Sequence, residues 1–548
     1  MDFKYFILLG VALELTVGVD SKPKNVLFIV VDDLRPALGC FGDSKAITPN
    51  IDQLGAHSIR FENAFVQQAL CGPSRTSFLT SRRPDTLHLW DVHSYWRDSV
   101  GNFTSLPQYF KENGYCTVSV GKVFHPGRAS NFTDDFPYSW SEYPYHASTE
   151  KYKMSNVCLE DDGSLRMNLV CPVDLETQPE GTLPDIQAVE YARKRLIRFA
   201  EDKKRGQMQP FFLAVGFHKP HIPLKFPREY LYLHPIDTVP LAPDPHFPQK
   251  LPVVAWNPWT DLRERYDVGQ LNASFPFGPL PKYFQRLIRQ SYYAATSYMD
   301  DLVGRLLSSL VELNLANDTV IAFLGDHGWS LGEHAEWSKY SNFEVSTRAP
   351  LLFYIPGVTD PLFELSENFK HVSLTRNHNF KKRNPKGTFK SDALVEMVDI
   401  FPTLAEAVGL PVPKMCPEPS SKSMTCTEGV SLIPLFTSNP ILWKKAVFSQ
   451  YPRPSKFPQE NSDQPKKKDI KFMGYTMRTH KYRFTQWIGF DTSHCRGNWS
   501  DIIGTELYNK QIDVLEDNNL AGNVTYKDII KELSNELKAG WRHALPCV

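Results

Sequence analysis

Three stretches of the chain are continuously apolar and end on charge or histidine: NVLFIVVDD at residues 25–33, PFFLAVGFHKPH at 210–221 and DTVIAFLGDHG at 318–328. Apolar runs of this length without alternation predict strands buried on both faces, with their polar residues at the carboxyl ends. Between them, TPNIDQLGAHSIRF (48–61) predicts a helix, with Thr48 as its cap and Pro49 at its first position. TSLPQYFKENG (104–114) and CTVSVGK (116–122) repeat the order helix then strand. Residues 282–313 predict a long helix, and DALVEMVDIFPTLAEAVG (392–409) an amphipathic helix stopping at Gly409. Strands alternating with helices predict an α/β fold with a large, mostly parallel central sheet flanked by helices. In such sheets ligands gather beyond the carboxyl ends of the strands, where this chain places Asp32, Asp33, His218, Asp326 and His327.

The pattern changes further along. Residues 234–260 and 410–425 are proline-rich and predict long loops. FMGYTMRTHKYRFTQWIGF (472–490) alternates aromatic and polar residues as antiparallel strands do, and YKDIIKELSNELKAGWRH (526–543) predicts a closing helix. We therefore expect a catalytic domain over residues 21–440 and a smaller C-terminal α/β domain with an antiparallel sheet over 441–548. The basic segments NHNFKKRNPKGTFKS (377–391) and SDQPKKKD (462–469) read as solvated surface loops.

Composition narrows the function. The 548 residues carry 61 Lys and Arg against 61 Asp and Glu, so no net basic field exists to hold nucleic acid or a long polyanion. The 16 histidines would turn the balance positive in an acidic compartment. Residues 1–20 have the form of a secretory signal, and no later stretch has the apolar length of a membrane span. Six N-x-[ST] sequons, at Asn102, Asn131, Asn272, Asn317, Asn498 and Asn523, accord with secretion and glycosylation. Nine cysteines are too few for a disulfide scaffold; Cys158 with Cys171 and Cys416 with Cys426 are the two bridges expected from proximity in polar loops.

Asp32, Asp33 and Asp326 would repel one another if their strands are neighbours. A hard divalent cation, calcium or magnesium, would relieve this, as would pairing with lysines or helix ends; His327 is an unusual ligand for a hard ion. CGPSRTSFLTSRRP (71–84) predicts a helix that starts near Cys71, with Pro73 in its first turn and Arg75 one turn on. Three residues separate Cys71 from Arg75, where the cysteine-phosphatase loop needs five. Free amides, the positive helix end and a guanidinium would make an anion site around Cys71. Lys122 and His125 in GKVFHPG, with His218 and Lys339, could add cations and proton donors. Such a constellation suits hydrolysis of an anionic ester.

CGPSRTSFLTSRR resembles the signature of the sulfatase family, C-x-P-S-R followed by a leucine and a basic turn. VDDLRPALGCFGD, NIDQL, GNFTSLPQYFKENGY, SVGKVFHPG, PEGTLPD, GFHKPHIP, GDHGWSLGEHAEWSKYSNF, SQYPRPS and KDIKFMGYTMRT extend the resemblance over nearly the whole chain. Asp326-His327, where most sulfatases have Asp-Asn, fits the branch that acts on terminal uronate 2-sulfates. The resemblance implies an alkaline-phosphatase-like sandwich. It implies that Cys71 is oxidised to Cα-formylglycine by the formylglycine-generating enzyme. The aldehyde hydrate then attacks sulfur through one hydroxyl, and the other expels sulfate from the sulfo-enzyme intermediate.

By the same resemblance, Asp32, Asp33, Asp326, His327 and the modified Cys71 hold one Ca2+. Arg75, Lys122, His125, His218 and Lys339 join Cys71 in the catalytic and sulfate-holding set, and Trp329 and Tyr340 contact substrate. The implied enzyme is a lysosomal exo-sulfatase, reached through the secretory pathway and a mannose-6-phosphate receptor. It removes the 2-O-sulfate of non-reducing-end L-iduronate from the glycosaminoglycans heparan sulfate and dermatan sulfate. A sulfatase of other specificity, a related phosphate or phosphonate ester hydrolase, and a non-hydrolysing sulfated-glycan binder are the alternatives. The chain departs from the family pattern at Ser81, where glycine is usual, and at Gly72, where alanine or threonine is commoner.

Overall fold

A computed structural model describes residues 24–359, 389–437 and 442–546. The expected signal segment 1–20, most of the basic segment 377–391, the expected domain boundary at 440–441 and Cys547 lie outside the described residues. The elements that position the site are strands β1 (Asn25–Val31), β2 (Ile59–Phe65), β3 (Cys116–Gly121), β4 (Phe211–Phe217), β5 (Thr319–Gly325), β6 (Ser330–Leu331), β7 (Trp337–Ser338), β8 (Leu351–Tyr354) and β9 (Phe389–Glu396). The helices among and after them are α1 (Pro49–Ala56), α2 (Cys71–Thr80), α3 (Leu106–Glu112), α4 (Pro184–Lys204), α5 (Lys282–Glu312) and α6 (Ile400–Ala407). The C-terminal part carries β10 (Ala446–Arg453), β11 (Phe472–Thr479), β12 (Tyr482–Asp491), β13 (Arg496–Asn509) and α7 (Lys527–Ala539).

The central sheet has seven strands in the order β9-β2-β8-β5-β1-β4-β3. β1 runs parallel to both neighbours, with Val31 level with Gly325 of β5 and Phe217 of β4. Only β8 is antiparallel, to β2 and β5. The period-2 geometry of β1 splits its apolar run between two cores. Leu27, Ile29 and Val31 pack with Ala192, Leu196, Met299 and Leu302 of α4 and α5; Val26, Phe28 and Val30 pack with Phe78, Phe110 and Leu404 of α2, α3 and α6. This double burial explains why the run does not alternate. The predicted antiparallel strands are β11 and β12, inside a four-stranded sheet β10-β11-β12-β13. Among the described residues no helix is long and apolar enough to cross a membrane.

Three predicted helices come out differently. The segment 48–61 is helical only to Ala56; Ile59 and Phe61 then point into the core while Arg60 and Glu62 do not, and the chain continues as β2. Thr48 occupies the cap position, but its hydroxyl donates to Asp52. The free amides of Asn50 and Ile51 donate instead to the Asp300 carboxylate of α5. The segment 392–409 begins as the end of β9, because Leu394 to Glu396 pair with Asn63 to Phe65 of β2, and becomes helical at Ile400. The closing helix breaks at Gly540, whose φ of 77° lies in the left-handed region.

Both expected disulfides are formed, Cys158–Cys171 and Cys416–Cys426. Arg82, just past α2, donates to the Ser420 and Ser423 carbonyls, which ties the second disulfide loop to the helix. Arg83 grips Glu396 at the end of β9 through two parallel bonds of 2.7 Å.

Candidate active site

The ends of β1 and β5 supply the carboxylates. The amide of Asp326 donates to the Val31 carbonyl and that of Asp32 to Phe217, so the sheet ladder carries on into the polar residues. Asp33 turns out of the sheet with φ 59°, held by its amide donating to Asp326 Oδ1 at 2.9 Å. Ligating oxygens of Asp32, Asp33 and Asp326 all lie within 4.8 Å of one another. All three residues are fully buried, and Asp33 Oδ2 has no hydrogen-bond partner.

Cys71 is the first residue of α2, as expected, and 2 % exposed. Its Sγ lies 3.1 Å from Lys339 Nζ, 3.3 Å from His327 Nε2 and 3.4 Å from Asp32 Oδ1. His125 is close enough to act on it electrostatically, and its Nδ1 has no hydrogen-bond partner. Arg75, one turn along α2, donates through Nε to Asp326 (2.8 Å) and through Nη2 to Asp32 (3.0 Å), and its other amino group serves the Lys122 and Val123 carbonyls. Its fork is thus spent on bracing two carboxylates and the segment after β3. Lys122 Nζ is 2.5 Å from Asp32, and Lys339 Nζ is 2.7 Å from Asp33.

Lys339 follows the hairpin β6–β7. The Glu333 carboxylate in its turn is held by Arg35 at 2.9 Å and by the Leu331 amide at 2.6 Å. The ammonium of Lys339 sits 5.5 Å from the Trp329 ring centre and 5.8 Å from that of Tyr340, so these two aromatics wall it on two sides. Tyr340 is buried, its hydroxyl donating to Asp261 and accepting from Gln464.

The family model named Sulfatase matches residues 24–410. The chain is 50% identical to the iduronate 2-sulfatase of Mus musculus, over 97% of this chain and 98% of the relative. It is 54% identical to that of Homo sapiens, over 90% of each. The chain belongs to the sulfatase family. Its fold also matches the solved phosphonate monoester hydrolase of Silicibacter pomeroyi, at a TM-score of 0.66 and 18% identity, over 95% of this chain and 96% of that one.

The site of this sulfatase is electrostatically divided. Burial and Asp32 push the Cys71 thiol up, but Lys122, Lys339 and His327 outweigh them and hold it well below the ordinary value. Burial works to raise Asp32, yet Lys122, His221 and Arg75 hold it well below the usual carboxylate range. For Asp33 and Asp326 burial prevails, and both are raised. Burial opposes charging of His327, but Asp326 and Cys71 raise it to about 9. Three crowded carboxylates, one with an orphaned buried oxygen, fit a divalent cation. Asp32, Asp33, Asp326 and His327 are the residues able to hold it.

The two signature departures have structural causes. Ser81 ends α2 in the left-handed region (φ 50°), where a Schellman-type end favours glycine, but its hydroxyl donates to the Val398 carbonyl at 2.5 Å. Gly72 lies against the next segment: a Cβ there would sit 3.1 Å from the Asp91 carbonyl oxygen and 3.2 Å from Val92 Cγ1.

The structure brings together Asp32, Asp33, Cys71, Arg75, Lys122, His125, Asp326, His327 and Lys339. His218 faces another way, with Nδ1 3.1 Å from Asp185 and Nε2 3.7 Å from Glu150. His221, three residues on in the same loop, instead approaches Asp32 and Asp33 at 3.9 and 3.8 Å. Sequence reasoning did not single out His221, nor Lys153, whose charge also acts on Asp32 and Cys71. The repeated histidine in HKPH was the available signal for the first; nothing in the sequence around Lys153 marks it.

Proposed function

We propose that this sulfatase removes the 2-O-sulfate from L-iduronate at the non-reducing end of heparan sulfate and dermatan sulfate. The observation that supports this reading is the 50–54% identity to two iduronate 2-sulfatases over at least 90% of the chain. Neutral overall charge accords with an exo-enzyme that grips one sugar rather than a long polyanion.

In the working enzyme an oxygen takes the place of Cys71 Sγ. Formylglycine supplies, as its hydrate, a nucleophilic hydroxyl and a second one that later releases sulfate. One Ca2+ on Asp32, Asp33, Asp326 and His327 supplies positive charge beside the sulfate oxygens. The chain's own groups do the rest. Lys339 and Lys122, both within the carboxylate cluster, stabilise negative charge growing on the sulfate oxygens. His125, half-buried and held towards the neutral form by desolvation, accepts the proton of the attacking hydroxyl. His221, whose Nε2 approaches Asp32 and Asp33, serves the leaving alcohol, while His218, held by Asp185, braces the loop behind it. Arg75 keeps Asp32 and Asp326 in register. Trp329 and Tyr340 hold Lys339 in place and border the sugar.

All six sequon asparagines are solvent-exposed, which accords with glycosylation, passage to the lysosome and recognition by a mannose-6-phosphate receptor. Conversion of Cys71 requires the formylglycine-generating enzyme.

A substrate panel tests the reading. Turnover should be fastest on a disaccharide ending in 2-O-sulfo-iduronate, and slow on one ending in 6-O-sulfo-glucosamine, on an aryl sulfate and on an aryl phosphonate. Equal or better turnover of any of the latter three would sink it. Binding of the sulfated disaccharide without release of sulfate would mark a glycan-binding protein instead.

A further inference from the structure

The hairpin that delivers Lys339 carries a second polar cluster at its turn, away from Cys71. His334 is fully buried with φ 60°, and its ring stacks on Phe343 at 3.8 Å between centres. Its Nε2 lies 2.5 Å from the Leu515 carbonyl oxygen and 3.2 Å from Asp244 Oδ2. A carboxylate oxygen of Asp517 completes a set, with Asp244 and His334, whose ligating atoms all fall within 4.8 Å of one another. Asp244 comes from the proline-rich loop after residue 234, and Leu515 and Asp517 from the loop that follows β13.

This set has too many acceptors. A neutral imidazole has at most one hydrogen at Nε2, and the Leu515 carbonyl and the Asp244 carboxylate both face it, with the Asp517 carboxylate close by. Asp244 is 5 % exposed, and neither of its carboxylate oxygens has a hydrogen-bond donor. The nearby protein cations are engaged elsewhere: Arg35 and Arg289 on Glu333, Arg483 and Lys510 on Glu516. An uncompensated buried carboxylate is expensive, and a bound cation resolves both the repulsion and the missing donors.

We propose that Asp244, His334 and Asp517 form a second metal site, for a divalent ion of the zinc class, that clamps the loop 515–517 to the Lys339 hairpin. One imidazole nitrogen with two carboxylates is a donor set suited to zinc, whereas calcium and magnesium prefer oxygen alone. Metal binding displaces the Nε2 proton that faces the Leu515 carbonyl and releases it to solvent, and a water reaching the half-exposed Asp517 fills the fourth position. The site shares no residue with the cluster around Cys71. Its role is positional: it fixes the turn from which Lys339 extends and joins it to the C-terminal sheet.

The test uses the full-length protein, stripped of metal, supplied with excess Ca2+ and titrated with Zn2+ at neutral pH by calorimetry. We expect one zinc equivalent binding more tightly than about 1 μM. Asp244→Asn and Asp517→Asn should each weaken it at least about tenfold. Zinc should also raise the melting temperature of the unsubstituted protein and not that of either variant. Absence of stoichiometric zinc binding, or zinc binding unchanged in both variants, would overturn the proposal. If Asp244→Asn fails to fold, Asp517→Asn carries the test alone, because Asp517 is half-exposed and removing its charge leaves the packing intact.

Discussion

Lys339→Met isolates the electrostatic part of the mechanism. Methionine keeps the apolar stem between Trp329 and Tyr340 and deletes only the ammonium. That ammonium stands 3.1 Å from Cys71 Sγ and 2.7 Å from Asp33. A unit charge 3.1 Å from a developing negative charge is worth about 5 kcal/mol at an effective dielectric of ~20. Measured losses for one preorganised donor are smaller, about 3–4 kcal/mol, which corresponds to ~10²–10³ in rate. We therefore expect kcat/KM on the iduronate-ended disaccharide to fall roughly 10²–10³-fold. Losing the ammonium should also raise Asp33 further, since Lys339 is the cation that lowers it most. Lys339 lies 268 residues from Cys71, outside the segment read during maturation, so formylglycine content should be unchanged. Peptide mass spectrometry of the variant checks that before kinetics are compared. A kcat/KM within about threefold of the parent, at equal formylglycine content, would refute the role given to Lys339.

Other expectations follow from the same geometry. Asp326→Asn removes a charge from the carboxylate cluster and should lower bound calcium, measured by elemental analysis, together with activity; unchanged calcium would count against these ligands. Ser81→Gly relieves a left-handed conformation worth about 1 kcal/mol but loses two hydrogen bonds, to the Val398 carbonyl and from the Gly429 amide, of about 1 kcal/mol each, so its urea midpoint should fall by about 1 kcal/mol in free energy. Stability should peak on the acid side. Burial opposes ionisation of Glu333, but Arg35 and Arg289 lower it from 4.5 to about 2, so its contribution is present above pH 4.5 and is lost as pH falls towards 2. Burial raises Glu336 from 4.5 to about 8, so its contribution is present below pH 4.5 and is lost as pH rises towards 8. The melting temperature should therefore be higher at pH 5 than at pH 8; a steady rise from 5 to 8 would contradict this balance.

The strands that matter most were legible because double burial writes a continuous apolar run, and the run ends where the chemistry begins: Asp32 and Asp33 after β1, Asp326 after β5. Cys71 at the start of α2 was legible from Pro73 and the register of Arg75. Segments 48–61 and 392–409 misled because a helix and a strand meet there with little punctuation, and β2–β9 pairing decides where one stops. Orientation was not legible either. His218 and His221 share one short loop, and only packing against Asp185 sends the first away from the carboxylates. Arg75 could be placed on the correct face, but not recognised as bracing Asp32 and Asp326, because that needs β1 and β5 to be neighbours in space.

The most direct measurement is the mass of the Cys71-containing peptide from protein secreted by a eukaryotic host, taken alongside sulfate release from the iduronate-ended disaccharide. The account predicts the mass of an aldehyde in place of the thiol, and activity that scales with the converted fraction. Efficient hydrolysis by protein whose Cys71 remains wholly a thiol would contradict it.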